Sequence, residues 1–139
     1  LSPAERAVYV LHEAFGLRAT LMFDLAPGEY HSNVVLSILA GRAAVIADDG
    51  FADPAVPEAI AAVYAPHVIR LSPREKAAFA GNCLALSDDQ VWMSEVALKA
   101  LSPSHRAQLE AAGFELRGVP LDEIEKAGGS LRCCVAEIY

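Results

Sequence analysis

The chain has no CxxC pair, no basic run and no apolar stretch long enough for a membrane span, and each lack removes a class of function. Its three cysteines, Cys83, Cys133 and Cys134, are odd in number. They offer neither a disulfide framework nor a zinc site, and no metal is expected. The 11 Lys and Arg are outnumbered by 18 Asp and Glu, which leaves a net charge of -7, and they are scattered singly. No basic stripe could neutralise a run of phosphates, so nucleic acid is not an expected partner. Charge or glycine interrupts every apolar run well short of the ~18 residues of a membrane span. A soluble, reducing, cytoplasmic setting is therefore expected, with no membrane contact. What the sequence does have is apolar content, 54% of 139 residues, enough for one domain with its own core.

Three stretches open alike: "LSPAERA" at Leu1, "LSPREKA" at Leu71 and "LSPSHRA" at Leu101. Each puts Ser at an N-cap and Pro at the first helical position. In the first, Ala4, Ala7, Val8, Leu11 and Phe15 share a helical face, Gly16 ends the helix, and "LRATLMFDL" reads as a strand. "DPAVPEAIAAVYAP" predicts a helix bounded by Pro66 and followed by the strand "HVIRL"; the helix from Pro103 stops at Gly113 before the strand "FELRGVP". Helix then strand thus recurs, with starts near Pro3, Pro54 and Pro103. Between them lie the hairpins "NVVLSILA", Gly41, "RAAVIAD" and "NCLALS", "DDQ", "VWMS", while "SLRCCVAEIY" begins a third. The expected fold class is α/β: one domain over 1–139, built from repeated ββαβ units of about 51 residues starting near 31, 82 and 133, with helices outside a ring of short sheets.

In that register His31, Asn82 and Cys133 coincide, and Cys134 falls with Cys83 and Ser32 on the alternate side of the strand. A thiol with an imidazole is the minimum equipment for covalent catalysis at neutral pH. The bland alternative is that a buried cysteine behaves as a small hydrophobe. Gly128 and Gly129, which permit close backbone approach, and Arg132, which adds local positive charge, favour the reactive reading for Cys133. Cys83 and Cys134 are expected in the core, as are Trp92 and Met93. His12, His67 and His105 read as structural or solvated, and Asp48, Asp49, Asp88 and Asp89 as solvated turns. Asn82 could bind substrate or simply shape the turn after Gly81.

The segments "YHSNVVLS", "AGNCLAL" and "GGSLRCCVAE" together resemble the guanidine-modifying enzymes of the pentein fold. These include arginine deiminases, dimethylarginine dimethylaminohydrolases and amidinotransferases; the similarity is greatest to the citrulline hydrolase branch. The resemblance implies a five-unit α/β-propeller, of which 139 residues would supply the C-terminal part, completed by a missing N-terminal half or another chain. It implies Cys133 as nucleophile, His31 as general acid and base, and Asn33, Asn82 and Arg132 as substrate-binding residues, with no metal or organic cofactor. Arginine deiminases and amidinotransferases typically carry His-x-Asp, whereas here the third residue is Asn33. A neutral amide needs no cationic partner, which favours a ureido group such as that of citrulline over a guanidinium. The expected activity is hydrolysis of a C–N bond in a ureido or guanidino compound. The alternatives are amidino transfer or a non-catalytic binding protein on the same scaffold. A papain-like protease fits poorly, since there the Cys precedes the His and opens a helix.

Overall fold

The structure is a computed structural model that describes residues 1–137. Ile138 and Tyr139, the end of the expected third-unit strand, lie outside the described residues. In chain order the elements are α1 (Pro3–Ala14), α2 (Ser32–Val35), β1 (Leu36–Leu39), β2 (Ala43–Ile46), α3 (Ala55–Tyr64), β3 (Val68–Arg70), α4 (Pro73–Ala77), β4 (Leu84–Ala85), β5 (Gln90–Ser94), α5 (Glu95–Ala100), α6 (Pro103–Ala111), β6 (Glu115–Val119) and α7 (Asp122–Glu125). Short 3-10 turns lie at Asp48–Gly50 and Leu131–Cys134.

Two small sheets, β1-β2-β3 and β4-β5-β6, have the same plan. In each, an antiparallel hairpin is followed by a helical crossover and a parallel third strand. The β1-β2 turn needs left-handed backbone at both central residues, Ala40 (φ 49°) and Gly41 (φ 66°), and Arg42 N–H closes it on Leu39 O at 3.1 Å. Strand β2 is buried on both faces because successive side chains point opposite ways. Ala43 and Val45 join Val91, Met93 and Cys83 of the second unit in one core, while Ala44 and Ile46 join Ile60 of α3 in another. The first sheet is therefore sandwiched between its own helix and the next unit.

Three expectations are corrected. "LRATLMFDL" does not form a strand: only an isolated bridge pairs Leu25 with Phe51. A strand requires a neighbour to satisfy its backbone, and only residues near Leu25 find one, through Ala26 N–H to Gly50 O and Ala52 N–H to Asp24 O. "NVVLSILA" is split, because residue 31 caps a helical turn over Ser32–Val35 before β1 begins. "SLRCCVAEIY" carries a 3-10 turn at Leu131–Cys134 where a strand was expected. The helix α1 forms as predicted, closed by a capping box between Ser2 and Glu5, but none of its residues is buried, and Leu11 and Phe15 of its apolar face stand exposed. Among the described residues no helix is long and apolar enough to cross a membrane.

The repeated "LSP" openings all become N-caps, at Ser2, Ser72 and Ser102. Two of these caps share one carboxylate. Glu75, 2% exposed, accepts from Ser72 N–H and Ser72 Oγ–H at 2.8 Å, from Ser102 N–H at 2.9 Å, and pairs with His105 Nδ1 at 2.8 Å. Burial pushes its acidity the other way, but these donors prevail and hold it down from 4.5 to about 2. A carboxyl depressed in the folded state stabilises above its ordinary value, and that contribution fades as pH falls from 4.5 towards 2. We expect unfolding free energy to fall by up to ~3 kcal/mol across that interval from this group. Urea titrations at neutral and acid pH check it, with Glu75→Gln removing much of the difference.

Candidate active site

His31 is the N-cap of α2: its backbone is extended (φ -155°, ψ 137°), and Nδ1 accepts the Asn33 N–H at 3.3 Å. In that arrangement a neutral ring keeps its proton on Nε2. Glu29, two residues earlier, is ion-paired to Lys76 of α4, which also holds Asp49 at 3.0 Å. The turn carrying Tyr30 and His31 is thereby tied to the body of the domain.

Cys133 follows a turn made by Gly128 (φ 87°) and Gly129 (φ 88°), backbone that side chains with a Cβ rarely adopt. A Cβ on Gly129 would stand 3.2 Å from Cys133 Sγ, so glycine here keeps one side of the sulfur clear. The Cys133 N–H donates to Ser130 O at 3.1 Å, and buried Ser130 donates its hydroxyl to Glu125 at 2.6 Å. The Cys133 thiol is exposed and lies 3.6 Å from Asn33 Oδ1.

Asn82 draws these segments together. Its Nδ2 donates to Cys133 Sγ at 3.3 Å and to Asn33 O at 2.8 Å, while Oδ1 accepts the Arg132 N–H at 3.1 Å. It is fully buried. Its side chain joins three points within the protein. The Arg132 guanidinium stands 3.8 Å from Glu137, and both line a cleft of about 460 Å³ with His31, Asn33 and Ser37. His31, Asn33 and Arg132 thus share one cavity wall. Among the described residues no hydrogen bond joins His31 directly to Cys133.

The other thiols divide differently from expectation. Cys83 is in the core, where burial pushes its thiol up to about 11. Cys134 is exposed rather than buried. The expectation assumed strand alternation, but in a 3-10 turn consecutive side chains are about 120° apart and need not take opposite faces.

Two contributors escaped the sequence reading. Ser37, buried in β1, lies 2.7 Å from Gly81 O and 2.9 Å from Cys83 O, the carbonyls flanking Asn82. Nothing local marks such a contact across 44 residues. Tyr30, adjacent to His31, has its hydroxyl beside the Gly129 turn. Partial desolvation first, then the charges on Cys133 and Glu29, push that hydroxyl above its ordinary value, so it remains a proton-bearing donor. Its place next to His31 was the available signal.

Comparison with known proteins gives the family and the fold. The family model described as N,N dimethylarginine dimethylhydrolase, eukaryotic, matches residues 12–139. The N(G),N(G)-dimethylarginine dimethylaminohydrolase of Mycobacterium tuberculosis (strain ATCC 25618 / H37Rv) is 31% identical over 135 residues, covering 97% of this chain and 42% of that protein. The chain therefore spans less than half the length of this curated relative. Among solved structures, the N-terminal domain of ArgZ, an arginine dihydrolase from cyanobacteria, superposes with its product bound at a TM-score of 0.75 and 22% identity, over 91% of this chain and 45% of that one. SxtG, an amidinotransferase from Microseira wollei, superposes at 0.64 with 15% identity, over 91% and 36%. The match of the family model over residues 12–139, with the 31% identity across 97% of the chain, shows that this chain belongs to the dimethylarginine dimethylhydrolase family.

Proposed function

We propose that the chain carries the nucleophile and the general acid and base of a hydrolase that cleaves a C–N bond in a guanidino derivative of arginine. The observation that supports it most is the meeting of Cys133, Asn33 and Arg132 at one buried amide, beside the cleft that His31 lines. Cys133 sulfur attacks the guanidino carbon, and the thiol proton is taken up by His31 and delivered to the departing amine nitrogen. The C–N bond breaks, leaving an amidino group on sulfur. His31 then takes a proton from water, the hydroxide adds to the same carbon, the C–S bond breaks, and the proton returns to the thiolate. The product is a ureido amino acid. Arg132 and Asn33 hold the substrate in the cleft.

The substrate class follows the relative named for dimethylarginine, so an N-methylated arginine comes first. A second reading rests on Asn33, a neutral amide 3.6 Å from the sulfur, which suits a ureido group such as citrulline. The finer architecture belongs to the same proposal: a five-unit ring of units of about 51 residues, with starts near 31, 82 and 133, in which an N-terminal half or another chain covers the exposed face of α1. Side-by-side assays of the whole protein on N,N-dimethylarginine, arginine and citrulline test the chemistry. Dimethylamine with citrulline is the expected product pair. Ornithine, carbon dioxide and ammonia from citrulline, at the higher specificity constant, would favour the ureido reading; turnover of none of the three overturns both.

A further inference from the structure

Asn82 is the most constrained polar side chain near the thiol. An amide offers two N–H donors and a carbonyl acceptor. Here the donors go to Asn33 O (2.8 Å) and Cys133 Sγ (3.3 Å), and the acceptor is taken by Arg132 N–H (3.1 Å). With no solvent exposure and no spare donor, this amide has little with which to greet a substrate. It is instead bonded to three points: the backbone two residues after His31, the backbone next to Cys133, and the sulfur itself.

The loop that presents Asn82 is held on every side. Ser37 of β1 bridges the carbonyls of Gly81 and Cys83, and Asn82 N–H donates to Phe79 O at 2.9 Å, closing a turn in which Phe79 takes a left-handed φ of 62°. Such a φ is costly for a bulky residue and persists only where its surroundings impose it. Gly81 is pressed so closely on the first unit that a Cβ there would sit 2.3 Å from Val34 O. The contact leaves no room for the loop to slide relative to the turn that carries His31 and Asn33.

Resting on the reading of Cys133 as nucleophile, we infer that Asn82, backed by Ser37, is a positioning residue that locks the thiol to the His31-bearing turn, and that it is not a substrate contact. The reaction needs sulfur and imidazole at a fixed separation although they lie on segments about a hundred residues apart. One amide bonded to both segments supplies that constraint, and the clamp on its backbone keeps the amide from following either segment alone.

Three substitutions in the whole protein test this. Asn82→Ala should lower kcat by about 10²-fold while KM stays within about threefold, since a displaced nucleophile affects the chemical step and not the substrate contacts. Ser37→Ala, which loosens the loop without touching the amide, should show the same split at about tenfold and covers the case in which Asn82→Ala does not fold. Asn82→Asp keeps the shape but sets a carboxylate against the sulfur. Its Cys133 alkylation by iodoacetamide, followed by mass spectrometry across pH, should be about tenfold slower at neutral pH than in the parent, with the profile moved to higher pH. A role confined to the loop's own fold, with no contact to the sulfur, would not move that profile. The inference is overturned if KM rises with kcat unchanged in the folded variants, or if the Asn82→Asp profile overlays the parent's. Cys133→Ser in the same assay separates the two levels: retained turnover there refutes the catalytic reading, whereas the alkylation profile reports the contact between Asn82 and sulfur whether or not turnover occurs.

Discussion

Cys133→Ser is expected to lower turnover by about 10⁴-fold or more, while Cys134→Ala should leave it near the parental rate. The two thiols are neighbours in sequence and both are exposed, so accessibility does not distinguish them. Surroundings do. Cys133 Sγ accepts from Asn82, lies near Asn33 Oδ1 and faces the space that Gly129 leaves open. A serine hydroxyl keeps the shape but is a far weaker nucleophile near neutral pH, so the covalent route closes. Since Cys134 is exposed, its truncation should change stability by no more than about 0.5 kcal/mol. The measurement is amine release by the whole protein, with mass-shift labelling to locate the reactive sulfur. Cys83 should stay unlabelled in the folded protein, because it is buried and its thiol is pushed up to about 11. Selective labelling of Cys134 with Cys133 inert would sink the assignment.

His31→Ala is expected to lower kcat by roughly 10² to 10⁴-fold, the usual loss when a positioned proton carrier is removed. In the proposed mechanism the same side chain serves the departure of the amine and the entry of water, so both half-reactions should slow. His31→Ala also removes the N-cap acceptor for Asn33 N–H, a loss of about 1 kcal/mol or less at an exposed cap. His31→Asn restores a capping side chain without a proton carrier. If the Asn variant recovers stability but not turnover, the role is catalytic; if it recovers turnover as well, His31 serves the site only through the turn. Cys133 should remain open to alkylation in both variants, which separates lost proton transfer from a lost nucleophile.

Much of this molecule is legible in its amino acids because the deciding interactions are local. The caps at Ser2, Ser72 and Ser102 need only a hydroxyl and the next turn of backbone, and all three form. The crossover helix from Ala55 and the strands flanking it follow from Pro boundaries and apolar patterning. The sequence register also sets His31, Asn82 and Cys133 at one spacing, as an expectation of repeated units. In the structure Asn82 donates to Cys133 Sγ and to the backbone of Asn33.

The errors share a cause. A segment's apolar alternation says that it could pair, not that a partner is present, so "LRATLMFDL" reads as a strand and yet contributes one bridge. The glycine turn and the 3-10 geometry after it decide that Cys134 is exposed, and strand alternation carries no information about that.

By itself, then, the sequence determined the capped helix starts at Pro3, Pro73 and Pro103 and the plan of two hairpins each followed by helix and strand, since each depends on neighbours a few residues away, whereas the helices at Ser32–Val35, Glu95–Ala100 and Asp122–Glu125 were not legible in it. Only the tertiary structure decided that Asn82 is an interior junction, that Ser37 clamps it, and that Glu75 serves two helix caps at once. Those assignments depend on donors and acceptors 27 to 51 positions apart in sequence meeting in space. A hydrogen bond is satisfied by distance and angle in space, and neither quantity is written in the order of the residues.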